Sequence, residues 1–253
     1  MNVLYSGAPP SKLLLALEGM RAIQELAFLA VSTPFLPFKK GDGHPVLVLP
    51  GLLASDESTR LIRKELNARG FVAYGWQQGR NCGLRQGTED RMLAKIRVLH
   101  AKHGKKVSLV GWSLGGLYAR QLAKVVPDHV RSVITLGSPF AGEPTSTNAY
   151  WIYQRLNPAA TREAYDHHAG PLHETPPVPT TAIYSKSDGV CAWQSCVEPA
   201  GAHAESVEVW GSHIGLGHNP SVMNVVFDRL LLPEGEWKPF DRSGWTKYFY
   251  PGA

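Results

Sequence analysis

Short, wholly apolar runs alternate with helical segments along most of this chain. "VLVL" at 46–49, "FVAYGW" from 71, "KVSLVG" from 106, "VRSVITLGSPF" from 130, "TTAIY" from 180 and "ESVEVW" from 205 read as strands. Between them, "SDESTRLIRKELNARG", "TEDRMLAKIRVLHAKHG", "LGGLYARQLAKVVP" and "NPSVMNVVFDRLLLP" read as helices. Their punctuation is consistent with that reading. Ser55 or Asp56 can cap the first and Gly70 end it. Thr88 and Gly104 bracket the second, Pro127 closes the third, and Asn219 caps the last with Pro220 at its first position. A strand that is apolar throughout must be covered on both faces. The fold class is therefore α/β, with a mostly parallel central sheet and helices on both sides. At 253 residues the chain is sized for a single domain spanning 1–253.

Two segments break the alternation. Residues 141–179 are rich in proline, show no clear strand and hold Trp151 and Tyr153; they read as an insertion, partly helical, lying over one end of the sheet. Residues 1–40 form an N-terminal helical extension. Its core, "LLLALEGMRAIQELAFLAV", is interrupted by Glu18, Arg21, Gln24 and Glu25, so it is neither a membrane span of ~20 apolar residues nor a convincing signal peptide. A cytoplasmic location is expected. Leu13, Leu17, Met20, Ile23, Ala27 and Ala30 come closest to one stripe, which is expected to pack on the main domain. A peripheral membrane contact is the lesser alternative.

Charge and cysteine content exclude several classes. The net charge is +5, from 26 Lys and Arg against 21 Asp and Glu, but the basic residues are scattered. They do not track a phosphate backbone, so nucleic acid is not an expected partner. Three cysteines do not make a disulfide framework; Cys191 and Cys196 can pair within one loop or stay reduced. Neither G-x-G-x-x-G nor a P-loop follows the first strand, which leaves nucleotide binding unsupported. Asp166, His167, His168 and His173 lack the spacing of metal ligands on a helix face. No metal and no cofactor is expected.

Gly111-Trp112-Ser113-Leu114-Gly115 has the form G-x-S-x-G. Chance alone puts that pattern in roughly one of six chains of this composition. Its context is more specific, because it follows a strand and opens a helix. There a tight turn strains the serine backbone and lifts Oγ clear of the sheet. A side chain at either glycine would strike the neighbouring helix or strand. Serine needs a base, and the base an orienting acid, in the order Ser, Asp or Glu, His at the ends of later strands. Asp188 follows the "TTAIY" strand, and His213 follows the last strand and Gly211. His218, beside the helix cap, is the alternative base. An oxyanion hole would draw on the N–H of Leu52, after the Pro50-Gly51 turn, and of Leu114. Trp112, Trp151 and Tyr153 are candidates for lining an apolar substrate pocket.

At this point the chain resembles the α/β-hydrolase superfamily, in its bacterial serine esterase and lipase branch. "HPVLVLPGLLASD", "KVSLVGWSLGG", "VITLGSPFAG", "YSKSDGV" and "GSHIGLGHNP" carry the resemblance, from about residue 44 to 232. It implies a triad of Ser113, Asp188 and His213, an oxyanion hole from Leu52 and Leu114, and a lid over the acyl pocket at 141–179. The implied reaction is hydrolysis of a small-molecule carboxylic ester, with an apolar acyl group, through an acyl-enzyme. Acyl transfer by the same triad, and ligand binding without turnover, are the alternatives. One departure is Pro50, where many lipases have His before the glycine.

Overall fold

The computed structural model describes residues 4–32, 39–83, 85–158, 169–243 and 247–251. Six parallel strands form one sheet: β1 (Pro45–Leu49), β2 (Val72–Gly75), β3 (Val107–Trp112), β4 (Val130–Leu136), β5 (Thr180–Tyr184) and β6 (Ala204–Glu208), in the spatial order β2-β1-β3-β4-β5-β6. The order reverses between β1 and β3, so connections run outward in both directions from there, and helices cover both faces. α2 (Arg60–Ala68) and α6 (Pro220–Leu230) lie on one face, and α3 (Thr88–His103) and α4 (Leu114–Val125) on the other.

Strand pleating explains why the strands must be apolar throughout. Val46, Val48, Val110, Ile134 and Leu136 point into the core shared with Ile62, Leu66 and Val222 to Leu230. Leu47, Leu49, Leu109 and Val133 point into the opposite core, with Met92, Ile96, Leu117 and Leu122. Every residue of β1 and β3 is buried.

The helix stops follow the local chemistry. Gly104 ends α3 in the left-handed region at φ 60, and Asn219 caps α6 by accepting from the Ser221 and Val222 N–H groups, with Pro220 at the first turn. α2 differs from the sequence expectation. It begins at Arg60, after a run of turns, and neither Ser55 nor Asp56 caps it. The Asp56 carboxylate instead accepts from the Trp76 and Gln77 N–H groups, tying the α2 approach to the end of β2.

The N-terminal helix α1 (Lys12–Ser32) corrects a second expectation. The apolar stripe exists but faces outward: Leu13, Met20 and Ile23 are 70%, 54% and 71% exposed, and Ala27 and Ala30 are exposed too. Glu18, Ala22 and Leu29 form the buried face. The physical reason lies in the loops beneath, whose backbone N–H groups need acceptors that only the acidic face provides. Among the described residues, no helix is long and apolar enough to cross a membrane.

Between β4 and β5 the described residues hold a 3-10 turn at Pro144–Ser146 and the short helix α5 (Tyr150–Leu156), and no strand. Asn148 anchors this segment, donating to the Pro10 and Gly189 carbonyls, and Asn157 donates to the Cys82 carbonyl. Asp166, His167 and His168 lie outside the described residues.

Candidate active site

Five loops meet at the carboxyl edge of the sheet, where parallel strands leave a crevice. Ser113 follows β3 directly and α4 starts at the next residue, so the reversal has no spare length. The cost appears in the backbone: Ser113 adopts φ 52, ψ −120, which L residues rarely occupy. A Cβ at Gly111 would lie 2.4 Å from Gly116 Cα, and one at Gly115 would lie 2.3 Å from the Leu49 carbonyl oxygen. The two glycines thus let helix and strand close on the serine. Ser113 donates its N–H to the Leu136 carbonyl at 2.8 Å and is itself half-buried, reachable from the crevice.

Asp188 sits in the loop after β5 and is buried. Its Oδ1 accepts from the Val190 and Cys191 N–H groups, both at 2.7 Å, and its Oδ2 lies 2.6 Å from His213 Nδ1. The pairing leaves His213 Nε2 as the ring nitrogen available for chemistry. Burial alone would depress the His213 pKa, but the Asp188 charge and hydrogen bond, together with the Glu18 charge, outweigh it and raise the pKa above its ordinary value. Gly137 makes room for the pair: at φ 55, just past β4, a Cβ there would meet Asp188 Oδ2 and His213 Nδ1, each at 3.1 Å. Sequence reading overlooked this glycine; its signal was the "TLGSP" break at the end of an apolar strand.

Among the described residues no hydrogen bond joins Ser113 Oγ to His213. The hydroxyl lies within reach of the Cys191 thiol instead. Serine–histidine bonds commonly tighten only when substrate is bound. Cys191 also went unread except as a disulfide partner. It and Cys196 are buried free thiols. The neighbouring Cys196 thiol, burial and the Asp188 charge push the Cys191 pKa well up, so it stays a neutral thiol and does not compete as a nucleophile.

The remaining candidates separate clearly. His218 points away: its Nε2 lies 2.8 Å from the Ala22 carbonyl of α1, so it pairs with a helix and not with Asp188. Trp112 is buried, and its indole N–H donates to the His213 carbonyl at 3.1 Å, so it packs under the base loop rather than lining an open pocket. Trp151 on α5 is 65% exposed, and Tyr153 packs against the core of the α4 face. Leu52 and Leu114 flank the serine. Asn81, fully buried, holds the Pro50-Gly51 turn by donating to the Pro50 carbonyl at 2.8 Å and accepting the Leu53 N–H at 2.7 Å. The Leu52 N–H has no acceptor among the described residues.

Ligand atoms of Asp188, Cys191 and His213 lie within 4.8 Å of one another. Both Asp188 oxygens accept hydrogen bonds, Oδ1 from the Val190 and Cys191 N–H groups and Oδ2 in the pairing with His213. The donor set fits a hydrogen-bonded pair better than a cation.

The chain is similar to several known lipases. A triacylglycerol lipase of Pseudarthrobacter phenanthrenivorans is 34% identical over 113 residues, covering 39% of this chain and 34% of the relative. A triacylglycerol lipase of Burkholderia plantarii is also 34% identical over 113 residues, covering 39% of this chain and 30% of its own length. The chain therefore spans about a third of the length of these curated relatives. Among solved structures, Aspergillus fumigatus lipase B superposes with a TM-score of 0.58 at 20% identity, over 77% of this chain and 55% of that one. A monoacylglycerol lipase of Paleococcus ferrophilus gives 0.52 at 15% identity, over 77% and 96%. At such identities the likeness is one of fold. The family profile described as the alpha/beta hydrolase fold matches residues 48–188, more than half of the chain, and with its parallel sheet and strained serine turn the chain belongs to that family.

Proposed function

We propose that this protein hydrolyses carboxylic esters by a serine acyl-enzyme mechanism. Ser113 Oγ attacks the acyl carbonyl, and His213 Nε2 takes its proton and later returns it to the leaving alkoxide. Asp188 holds the imidazole and stabilises its charged form. The Leu52 and Leu114 N–H groups receive the oxyanion; loss of such a donor typically costs about 10²–10³ in turnover. Water then releases the acid. The substrate is a small ester with an apolar acyl group, in keeping with the triacylglycerol lipases that the chain resembles. Residues 141–179 act as the lid over that group.

The observation that carries this reading is the strained Ser113 turn facing the buried Asp188–His213 pair. Exposure of a reactive hydroxyl is a use for a serine held at φ 52 between two glycines whose Cβ atoms would strike the backbone. The test is intact mass after fluorophosphonate treatment. Wild type is expected to gain one adduct, and Ser113→Ala none. On p-nitrophenyl esters Ser113→Ala should lose turnover on the order of 10⁶-fold. A folded wild type that neither labels nor hydrolyses would sink the reading.

A further inference from the structure

α1 turns its charged residues inward, onto the two loops that carry Asp188 and His213. Glu18 is 2% exposed, and its carboxylate accepts three backbone N–H groups: Gly189 at 2.7 Å and His213 at 3.0 Å on Oε1, and Ile214 at 2.8 Å on Oε2. Two helical turns on, Glu25 accepts the Ser212 N–H at 2.7 Å and the Asn219 side-chain amide at 3.0 Å. Three consecutive N–H groups, at 212, 213 and 214, therefore end on carboxylates of one helix. Arg21 completes the face, donating to the Ser187 carbonyl at 2.7 Å and its hydroxyl at 3.0 Å.

We propose that Glu18 is a positioning residue for the hydrolytic site, holding the Asp188 loop and the His213 loop in register through one buried carboxylate, with Glu25 extending the clamp. The inference rests on the ester-hydrolase reading for the roles of those two loops. A carboxylate suits the place because it is acceptor-only and has enough lone pairs for three donors; an amide would turn its NH2 onto an N–H. The approach is close as well. A Cβ at Gly189 would lie 2.5 Å from the Leu14 backbone carbon, so the acid loop seats directly against α1. The charged and titratable groups facing His213 are Asp188 and Cys191 from the β5 loop and Glu18 from α1. Arg21 lies 3.9 Å beyond Glu18, and Glu25 sits at the adjoining Ser212. Removing the Glu18 charge leaves His213 easier to deprotonate.

Glu18→Gln is expected to lower kcat on the order of 10²-fold, the scale of a small misplacement of reacting groups, with KM little changed. It should also move the acid limb of kcat/KM to lower pH and speed amide exchange across 212–214, read by mass spectrometry. Glu18→Asp keeps the charge and should hold the acid limb at its wild-type pH. Ile23→Ser, on the exposed face of the same helix, should match wild type in all three. Should Glu18→Gln fail to fold, Glu25→Gln loosens the Ser212 and Asn219 end while leaving the Glu18 bonds in place, and is expected to shift exchange and kcat in the same direction. A folded Glu18→Gln with wild-type kcat, acid limb and exchange overturns the proposal. Wild type inert to fluorophosphonate overturns the hydrolase reading instead, and the clamp is then decided by exchange at 212–214 alone.

Discussion

Two constellations in this molecule contain an aspartate, a histidine and a serine, and placement separates them. At the amino edge of the sheet, Asp42 Oδ1 lies 2.5 Å from His44 Nδ1, and His44 Nε2 lies 3.0 Å from Ser108 Oγ. That hydrogen-bonded relay is better closed than the one at Ser113. Yet Ser108 and His44 are fully buried, and Ser108 lies within β3 rather than at a tight turn. Burial, with Arg131 nearby, pushes the His44 pKa down to about 4, so it is neutral at physiological pH and serves as a core hydrogen-bonding group. His213 moves the opposite way. Its raised pKa means that the charged form persists above pH 6.5, and only the neutral ring can accept a proton. Esterase kcat/KM is therefore expected to rise with pH through a midpoint above 6.5. A midpoint well below 6.5 would show that the Asp188 charge does not dominate at this ring. Residue types and order in the sequence were enough to select Ser113, Asp188 and His213 as candidates. Its place directly after the last strand and Gly211 favours His213 over His218 in the sequence, and the structure adds the reason that His218 has another role: α1 captures its ring through the Ala22 carbonyl.

At the level of elements, strands and helix stops were readable and helix orientation was not. Apolar runs and glycine stops are local properties, encoded within a few residues of where they act. Gly104 is a clean instance. Its φ of 60 closes α3, and nothing lies within 4 Å of a Cβ there. Gly104→Ala should then cost only the left-handed backbone penalty, about 1 kcal/mol, read as a lower urea midpoint at unchanged slope. α1 shows the limit. Its apolar stripe is real, but periodicity records which residues share a face, not which way that face turns. Four loop N–H groups that need acceptors, at 189 and 212–214, are the stronger demand, since leaving one buried without a partner costs about 1–3 kcal/mol. The α2 approach went unread for a similar reason: Asp56 has a capping residue's chemistry, and a distant strand end takes it.

Across the whole molecule, one buried arginine joins α4 to the end of the β4–β5 insertion and to the segment between β5 and β6. Arg120 of α4 is fully buried, pairs with Glu198, stacks 3.7 Å from the Phe140 ring centroid, and donates to the Leu172, His173 and Glu174 carbonyls. Removing one partner strands the other charge, so Arg120→Ala should destabilise by about 3–5 kcal/mol in equilibrium unfolding. A loss below about 1 kcal/mol would mean that the pair adds little beyond what packing supplies.

The sequence by itself determined the parallel α/β architecture and the strained serine turn. Both follow from patterns confined to short stretches: apolar runs and glycine spacing. Of the expected N-terminal caps only Asn219 is found, since α3 starts at Thr88 itself, after Gly87 at φ 73. The sequence also set the chain order of the acid and base, because topology delivers successive loops to one edge of a parallel sheet. Only the tertiary structure decided which histidine meets Asp188, that Gly137 leaves room for the pair, that Cys191 lies beside the serine, and that α1 faces its carboxylates inward. Each of those depends on contacts between residues far apart in the chain, such as the 195 positions between Glu18 and His213. Such pairings are settled by competition for buried hydrogen-bond partners, which local pattern does not record.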